Sequence, residues 1–281
     1  MLKRFLALFI TVAAAAVFMA GLAVAGSASR VGSLPTLTVA LTGSKGIVVS
    51  GSMVSGAANV VSTFTGKVPK GPDTGPALAL LRLNPGASFQ QAFQAVQSHN
   101  GDENALTPYG AVVVATNAPG SVQTVLAPGN YVALNVTGNG APGVAPFTVT
   151  ASASPVALPA ANATETAVEF AFRGPAVLHN NTVVRAENQG WLVHMIVLIG
   201  VRDAATGHQI MTLLRAGKDK QAQKLASGPF VSLLDPASPG ARQQQMLHTK
   251  PGYYIEACFM DTSDHREHTQ IGMMRLVRVT T

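Results

Sequence analysis

The chain has 281 residues, a formal charge of +6 and a single cysteine, with 47% hydrophobic but only 11% charged residues. One cysteine excludes an intramolecular disulfide. The basic residues are scattered rather than gathered in a stripe with aromatics, which excludes nucleic-acid binding; affinity for an anionic membrane surface would be mild and unspecific.

Lys3 and Arg4 precede an apolar run from Phe5 to Ala25, followed by small residues up to Ala28. This is the layout of a secretory signal peptide over residues 1–28. The run is also long enough to cross a bilayer, so an uncleaved anchor is the second reading. Both place the remainder outside the cytoplasm: periplasmic, secreted or attached to the cell envelope.

After a short small-residue linker, short apolar runs alternate with Gly/Pro turns. Leu37 to Leu41, Gly46 to Val49, Asn59 to Gly66 and Ala77 to Leu83 read as strands. Ser88 to Gln97 carries Phe89, Ala92, Phe93 and Val96 at helical spacing, with Ser88 placed to cap it. Gly110 to Thr116, Gln123 to Leu126, Asn130 to Val136 and Ala145 to Ala151 follow as strands. Residues 152–166, rich in Ala, Pro, Ser and Asn, read as an interdomain linker.

The second half echoes the first. Val183 to Asn188, Ile196 to Val201 and Gly228 to Leu234 match strands of the first half, and Met274 to Thr280 matches its last. A short helix is expected from Thr206 to Leu214, with a further turn at Lys220 to Leu225. A Pro-Gly-x-Tyr turn occurs twice, leading to Tyr131 and to Tyr254. The offset is 118 residues between Leu78 and Ile196 and 123 between the two tyrosines. That is a domain-sized interval, too long for a solenoid repeat. The expected architecture is all-β: two tandem Greek-key sandwiches, 35–151 and 167–281.

The chemistry concentrates near the C-terminus. Cys258, His265, His268, Met273 and Met274 fall within seventeen residues. Thiolate, imidazole and thioether together are donors that suit copper. The halves differ where these donors lie. Four residues past the tyrosine stands Cys258 in one half and Asn135 in the other, and the only histidine of the first half is His99. Taken singly, Cys258 could be a buried packing thiol and Met273 a core filler. No G-x-S-x-G elbow occurs. His179, His208 and His248 fit no ligand spacing, Asp261, Asp264 and Glu267 read as a solvated loop face, and strand parity points Glu256 inward unless a bulge turns it out.

His268-Thr-Gln-Ile-Gly-Met273, Gly252-x-Tyr254-x3-Cys258 and Glu187-Asn-Gln-Gly-Trp191-Leu-Val-His194-Met together resemble the cupredoxins, the type 1 blue-copper family that includes plastocyanin and azurin. The resemblance runs from Glu165 onward, with the first half as a ligand-free copy. It implies one copper ion in the second domain, held by His194, Cys258 and His268 in a plane with Met273 on the axis. It implies electron transfer to a redox partner protein rather than enzymatic turnover, with the surface near His268 as the exit. A second catalytic metal would need histidines that the first half lacks. Copper storage or delivery, and a metal-free envelope binding protein, are the rival functions. Two features depart from the family pattern. Nine residues separate Cys258 from His268, which leaves His265 as a rival ligand, and Met195 stands where plastocyanin-like members place an asparagine. The insert from Phe259 to Glu267 is expected to loop out.

Overall fold

The computed structural model describes residues 34–68 and 75–281; residues 1–28, read above as a signal peptide, lie outside them. No helix among the described residues is long and apolar enough to cross a membrane. The first half runs β1 (Thr36–Thr42), β2 (Ile47–Gly51), β3 (Gly56–Thr65), β4 (Ala77–Leu83), α1 (Phe89–Ser98), β5 (Gly110–Asn117), β6 (Gly120–Leu126), β7 (Gly129–Asn135) and β8 (Gly143–Val149). The second runs β9 (Ala163–Val168), β10 (Ala171–Arg173), β11 (Val177–His179), β12 (Thr182–Asn188), β13 (His194–Val201), α2 (Ala204–Arg215), α3 (Asp219–Leu225), β14 (Phe230–Ala237), β15 (Arg242–Leu247), β16 (Gly252–Ala257), α4 (His268–Ile271) and β17 (Met274–Thr280).

The fold is all-β, and the strands pair in the same way in both halves. Order β5-β4-β7-β8 forms one sheet of the first half, and β14-β13-β16-β17 recurs in the second with β11 added at its edge. The opposing sheets are a single eight-stranded ribbon, β10-β9-β12-β15-β6-β3-β1-β2. Its continuity depends on a short antiparallel junction, Gln243↔Thr124 and Gln244↔Gln123. There the Gln244 amide donates to Gln123 Oε1 (2.8 Å) and the Thr124 hydroxyl to the Arg242 carbonyl (2.7 Å). A second tie joins Val112 to Ser238 through two bonds of 2.9 Å.

Each core follows from alternation along its strands. β1 reads with Leu37, Val39 and Leu41 buried and its other residues more exposed, as in a strand with one wet face. β13 is buried at all eight positions, because the second core lies on one side and helix α2 covers the other. The matching tyrosines do matching work. The Tyr131 hydroxyl donates to the Ala127 carbonyl (2.9 Å) and the Tyr254 hydroxyl to that of Lys250 (2.5 Å), both four residues back. Both rings are buried, so the hydroxyls need those partners.

Some expectations shift. The stretch read as linker is not loose: the Ala57 N–H bonds to the Val156 carbonyl, and Pro159 accepts from Arg185. Its last four residues belong to β9, which pairs in parallel with β12, so the second half begins at Ala163. Ser88 does cap α1, as a capping box with Gln91. Glu256 points inward without a bulge. It lies opposite Arg275, whose guanidinium donates to both Glu256 and Glu165.

Candidate metal centre

Two neighbouring strands and a one-turn helix bring the donors together. His194 opens β13, and Cys258 directly follows β16, its antiparallel neighbour, so the strand register sets their approach. The Met195 N–H donates to Cys258 Sγ at 3.4 Å. His268 begins α4, held by its own N–H on the Met260 carbonyl (2.8 Å). Gly272 ends that turn at φ 105°, in the left-handed region where glycine carries no Cβ penalty, and redirects the chain into β17. Met273, next in line, donates to the His268 carbonyl (2.9 Å) and accepts from the Cys258 N–H (3.3 Å). Its side chain is buried with the rest.

The Nδ1 atoms of His194 and His268 are 3.2 Å apart, and Cys258 Sγ lies 3.7 Å and 3.3 Å from them. A triangle with these sides has a circumradius of about 2.0 Å, the length of a bond between a metal ion and an imidazole nitrogen. All three residues are fully buried, and they form the one His/Cys/Asp/Glu cluster with metal-ligand spacing among the described residues.

The electrostatics favour a metal over a proton. Burial lowers the His268 imidazole to about 3, with His194 adding to the effect. Burial lowers His194 to about 4, with nearby Glu169 opposing. Both rings are therefore neutral at neutral pH, the form that ligates. Burial pushes the Cys258 thiol up to about 12, against the pull of the Met195 and Met260 N–H donors. The thiolate is thus expensive in this pocket unless a cation forms it and keeps it. Two neutral imidazoles and one sulfur around a common point fit a soft transition metal, copper foremost.

The surroundings fix these rings from both halves. The Asn188 amide donates to the Leu192 and Ala237 carbonyls (2.8 Å each) and accepts from the Gly190 N–H (3.0 Å). Asn104 of the first half accepts from the Val193 N–H at 2.7 Å, one residue before His194. Glu169 Oε1 accepts from the Trp191 and Leu192 N–H groups, and lies 3.7 Å from His194 Nε2, too far for a hydrogen bond. The Nε2 atoms of both histidines are buried without partners.

The predicted residues therefore fall into clear groups. His194, Cys258 and His268 converge, and Met273 is clipped by its backbone to two of them. His265 is exposed at the tip of the insert, and His179, His208 and His248 are exposed elsewhere. His99 ends α1, its Nδ1 on the Ala95 carbonyl (2.7 Å). His268 is fully buried, with the Phe170 ring edge-on at 5.3 Å. One expectation needs correction. The insert loops out only at 263–266, pinched by pairing of Asp261 with Glu267, while Phe259 and Met260 pack on the core. Asp261 and Glu267 are accordingly half-buried, not a solvated face. Glu169, Phe170 and Asn104 were invisible to spacing arguments, because pairing of β9 with β12 and docking of the two halves bring them in.

No sequence-family model matches the chain, and no curated protein matches it in sequence. Comparison with solved structures returns auracyanin B at 22% identity, covering 42% of this chain and 87% of that one with a TM-score of 0.26. An auracyanin from Roseiflexus castenholzii is 14% identical, covering 42% of this chain and 95% of that one with a TM-score of 0.26. A copper-containing nitrite reductase from Thermus scotoductus is 14% identical over 88% of this chain and 68% of that one, with a TM-score of 0.25.

Proposed function

We propose that this chain is an exported mononuclear copper protein that transfers electrons, in which His194, Cys258 and His268 would hold the ion with Met273 as a further donor. The observation that carries the reading is the buried Nδ1–Sγ–Nδ1 triangle, whose two imidazoles are already neutral. Copper bound there would supply one-electron redox chemistry.

The chain's residues supply the rest. β13, β16 and the turn of α4 hold the donors where both oxidation states could share one geometry, which keeps rearrangement small. Full burial excludes water from the ligands. The Met195 N–H favours negative charge on sulfur, which holds the thiolate form once made. Because Phe170 covers His268, exchange with a partner would run across the rim where Phe170 and Trp191 lie. Trp191 is 75% exposed and follows Gly190, which lies against His194 Nε2.

The test is to add Cu(II) to the purified protein and record the visible spectrum, with Cys258→Ala as control. An intense thiolate-to-copper band, absent from the control, is expected. Stoichiometric Cu(I) binding without that band would instead indicate storage or delivery, and no binding of either ion would overturn the copper reading.

A further inference from the structure

The Nε2 atom of His194 is shut off from solvent and has no hydrogen-bond partner. Buried polar atoms are nearly always paired, so the orphan points to a partner close at hand. The Glu169 carboxylate stands beside it, with Oε1 3.7 Å away. The fold holds that carboxylate in place. Parallel pairing of β9 with β12 continues into the bond from the Gln189 N–H to the Ala167 carbonyl (2.9 Å), which sets the turn at Glu169 and Phe170 against the loop that enters β13. Two N–H groups of that loop, those of Trp191 and Leu192, then donate to Glu169 Oε1. Gly190 leaves the way between carboxylate and imidazole open. Its φ lies outside the left-handed region, so the backbone alone does not call for glycine. A Cβ there would lie 2.5 Å from Oε1 and 2.9 Å from Nε2, wedged against both.

We propose that Glu169 is a positioning residue for His194: it takes the hydrogen bond from Nε2–H and so holds the Nδ1 lone pair toward Cys258 and His268. A neutral imidazole carries one proton, so a proton kept on Nε2 leaves Nδ1 free to ligate. Nδ1 is the atom that faces the other two donors, 3.2 Å from His268 Nδ1 and 3.7 Å from Cys258 Sγ. Closing the gap to Glu169 by about half an ångström reaches hydrogen-bond distance. With a cation on Nδ1 the Nε2–H is a stronger donor, and Glu169 draws in closer. A carboxylate acceptor in turn makes the imidazole a stronger electron donor, which favours Cu(II) over Cu(I). These last two steps rest on the copper reading; the placing of the proton does not.

The test separates this role from the purely structural one of closing the 190–192 turn. Glu169→Gln keeps an oxygen for the Trp191 and Leu192 N–H groups but lacks the charge that makes a strong acceptor. In the metal-free protein with isotope-labelled histidine, NMR at neutral pH should find the His194 proton on Nε2, its signal identified by loss in His194→Gln. That signal should move upfield in Glu169→Gln, while the Trp191 and Leu192 amide signals show that the turn is kept. A proton on Nδ1, or an Nε2–H signal unmoved by the substitution, would overturn the proposal whether or not copper binds. In the copper-loaded protein, Glu169→Gln should lower Cu(II) affinity about tenfold and Cu(I) affinity by less than about twofold. A tenfold loss confined to Cu(II) is a rise of about 59 mV in reduction potential. Equal losses for both ions, or none, would reduce Glu169 to a structural cap and overturn the proposal. Failure of the wild-type protein to bind copper would overturn the copper reading alone, and the metal-free spectra would still decide this one.

Discussion

Gly190→Ala tests how tightly the metal centre is held. A Cβ at position 190 would lie 2.5 Å from Glu169 Oε1 and 2.9 Å from His194 Nε2. Ordinary contact begins near 3.4 Å, so the imidazole or its surroundings must give by about half an ångström. The Glu169 carboxylate can swing away, but it then releases the Trp191 and Leu192 N–H groups. The His194 ring has little room to retreat, because it is fully buried with the His268 ring at 4.9 Å. A shift of that size spoils a triangle whose circumradius matches a bond length. Copper affinity should fall about 10- to 100-fold, the usual cost of disturbing a ligand's support. Competition against a chelator of known affinity measures it, with the visible band as a second readout. Gly75→Ala is the control, since a Cβ there meets nothing within 4 Å. If Gly190→Ala binds copper with unchanged affinity and spectrum, the claim that packing fixes His194 is wrong.

Four further outcomes can be checked. Asn104→Ala leaves the buried Val193 N–H without its acceptor and should cost about 1–3 kcal/mol in denaturant unfolding, with a weaker copper band if the first half braces His194. Glu256→Gln should cost less than Arg275→Met, because Glu165 can still pair with Arg275, whereas loss of the guanidinium leaves two buried carboxyls facing each other; thermal melts rank the two. The metal-free protein should be more stable at pH 5 than at pH 8. Burial raises Glu165 to about 9, Glu103 to about 8 and Asp235 to about 6, so each favours the folded state below its unfolded value and loses that contribution as pH rises to the folded one. His194 and His268, lowered to about 4 and 3, act oppositely but only below about 6.5, and equal melting temperatures at the two values would contradict this balance. Copper binding between pH 6 and 8 should release one proton per ion, from Cys258 alone, as read in weakly buffered titrations; two or more would mean that the imidazoles are not neutral beforehand.

The parts of this molecule that were legible in the sequence were those set by local pattern. The apolar run at Ile196 to Val201 marked a strand, and the Pro-Gly turns placed the two tyrosines. The spacing from His268 to Met273 is one turn of helix and a left-handed glycine, both local. The contributions of distant chain were not legible. Phe170 covers His268 through the β9–β10 hairpin, whose three-residue second strand is too short to show a period. Burial of Glu256 depended on Arg275 and Glu165, one opposite and one far away in sequence. The insert from Phe259 to Glu267 misled by composition: its charges suggested a free loop, yet its first two residues are apolar and are drawn into the core.

The difference between the two halves has a physical reason at one position. The Asn135 amide donates to the Thr42 and Gly46 carbonyls (2.9 Å each), and its oxygen accepts from the Thr137 N–H (3.1 Å). It closes the β1–β2 turn onto β7, and a cysteine there would forfeit both bonds, leaving the Thr42 and Gly46 carbonyls only their backbone donors Lys45 and Thr42. Cys258 leaves the matching strand at the matching point, yet it faces two imidazoles and the Met195 and Met260 N–H donors. An asparagine there would displace the only sulfur from the triangle. The same exit from the strand can therefore serve as a polar staple or as a metal ligand, but not both at once. Having spent this position on a staple, the first half acts on the second through its surface instead: through Asn104 on Val193, through the β6–β15 junction, and through the apolar wall that α1 turns toward the loop after Cys258.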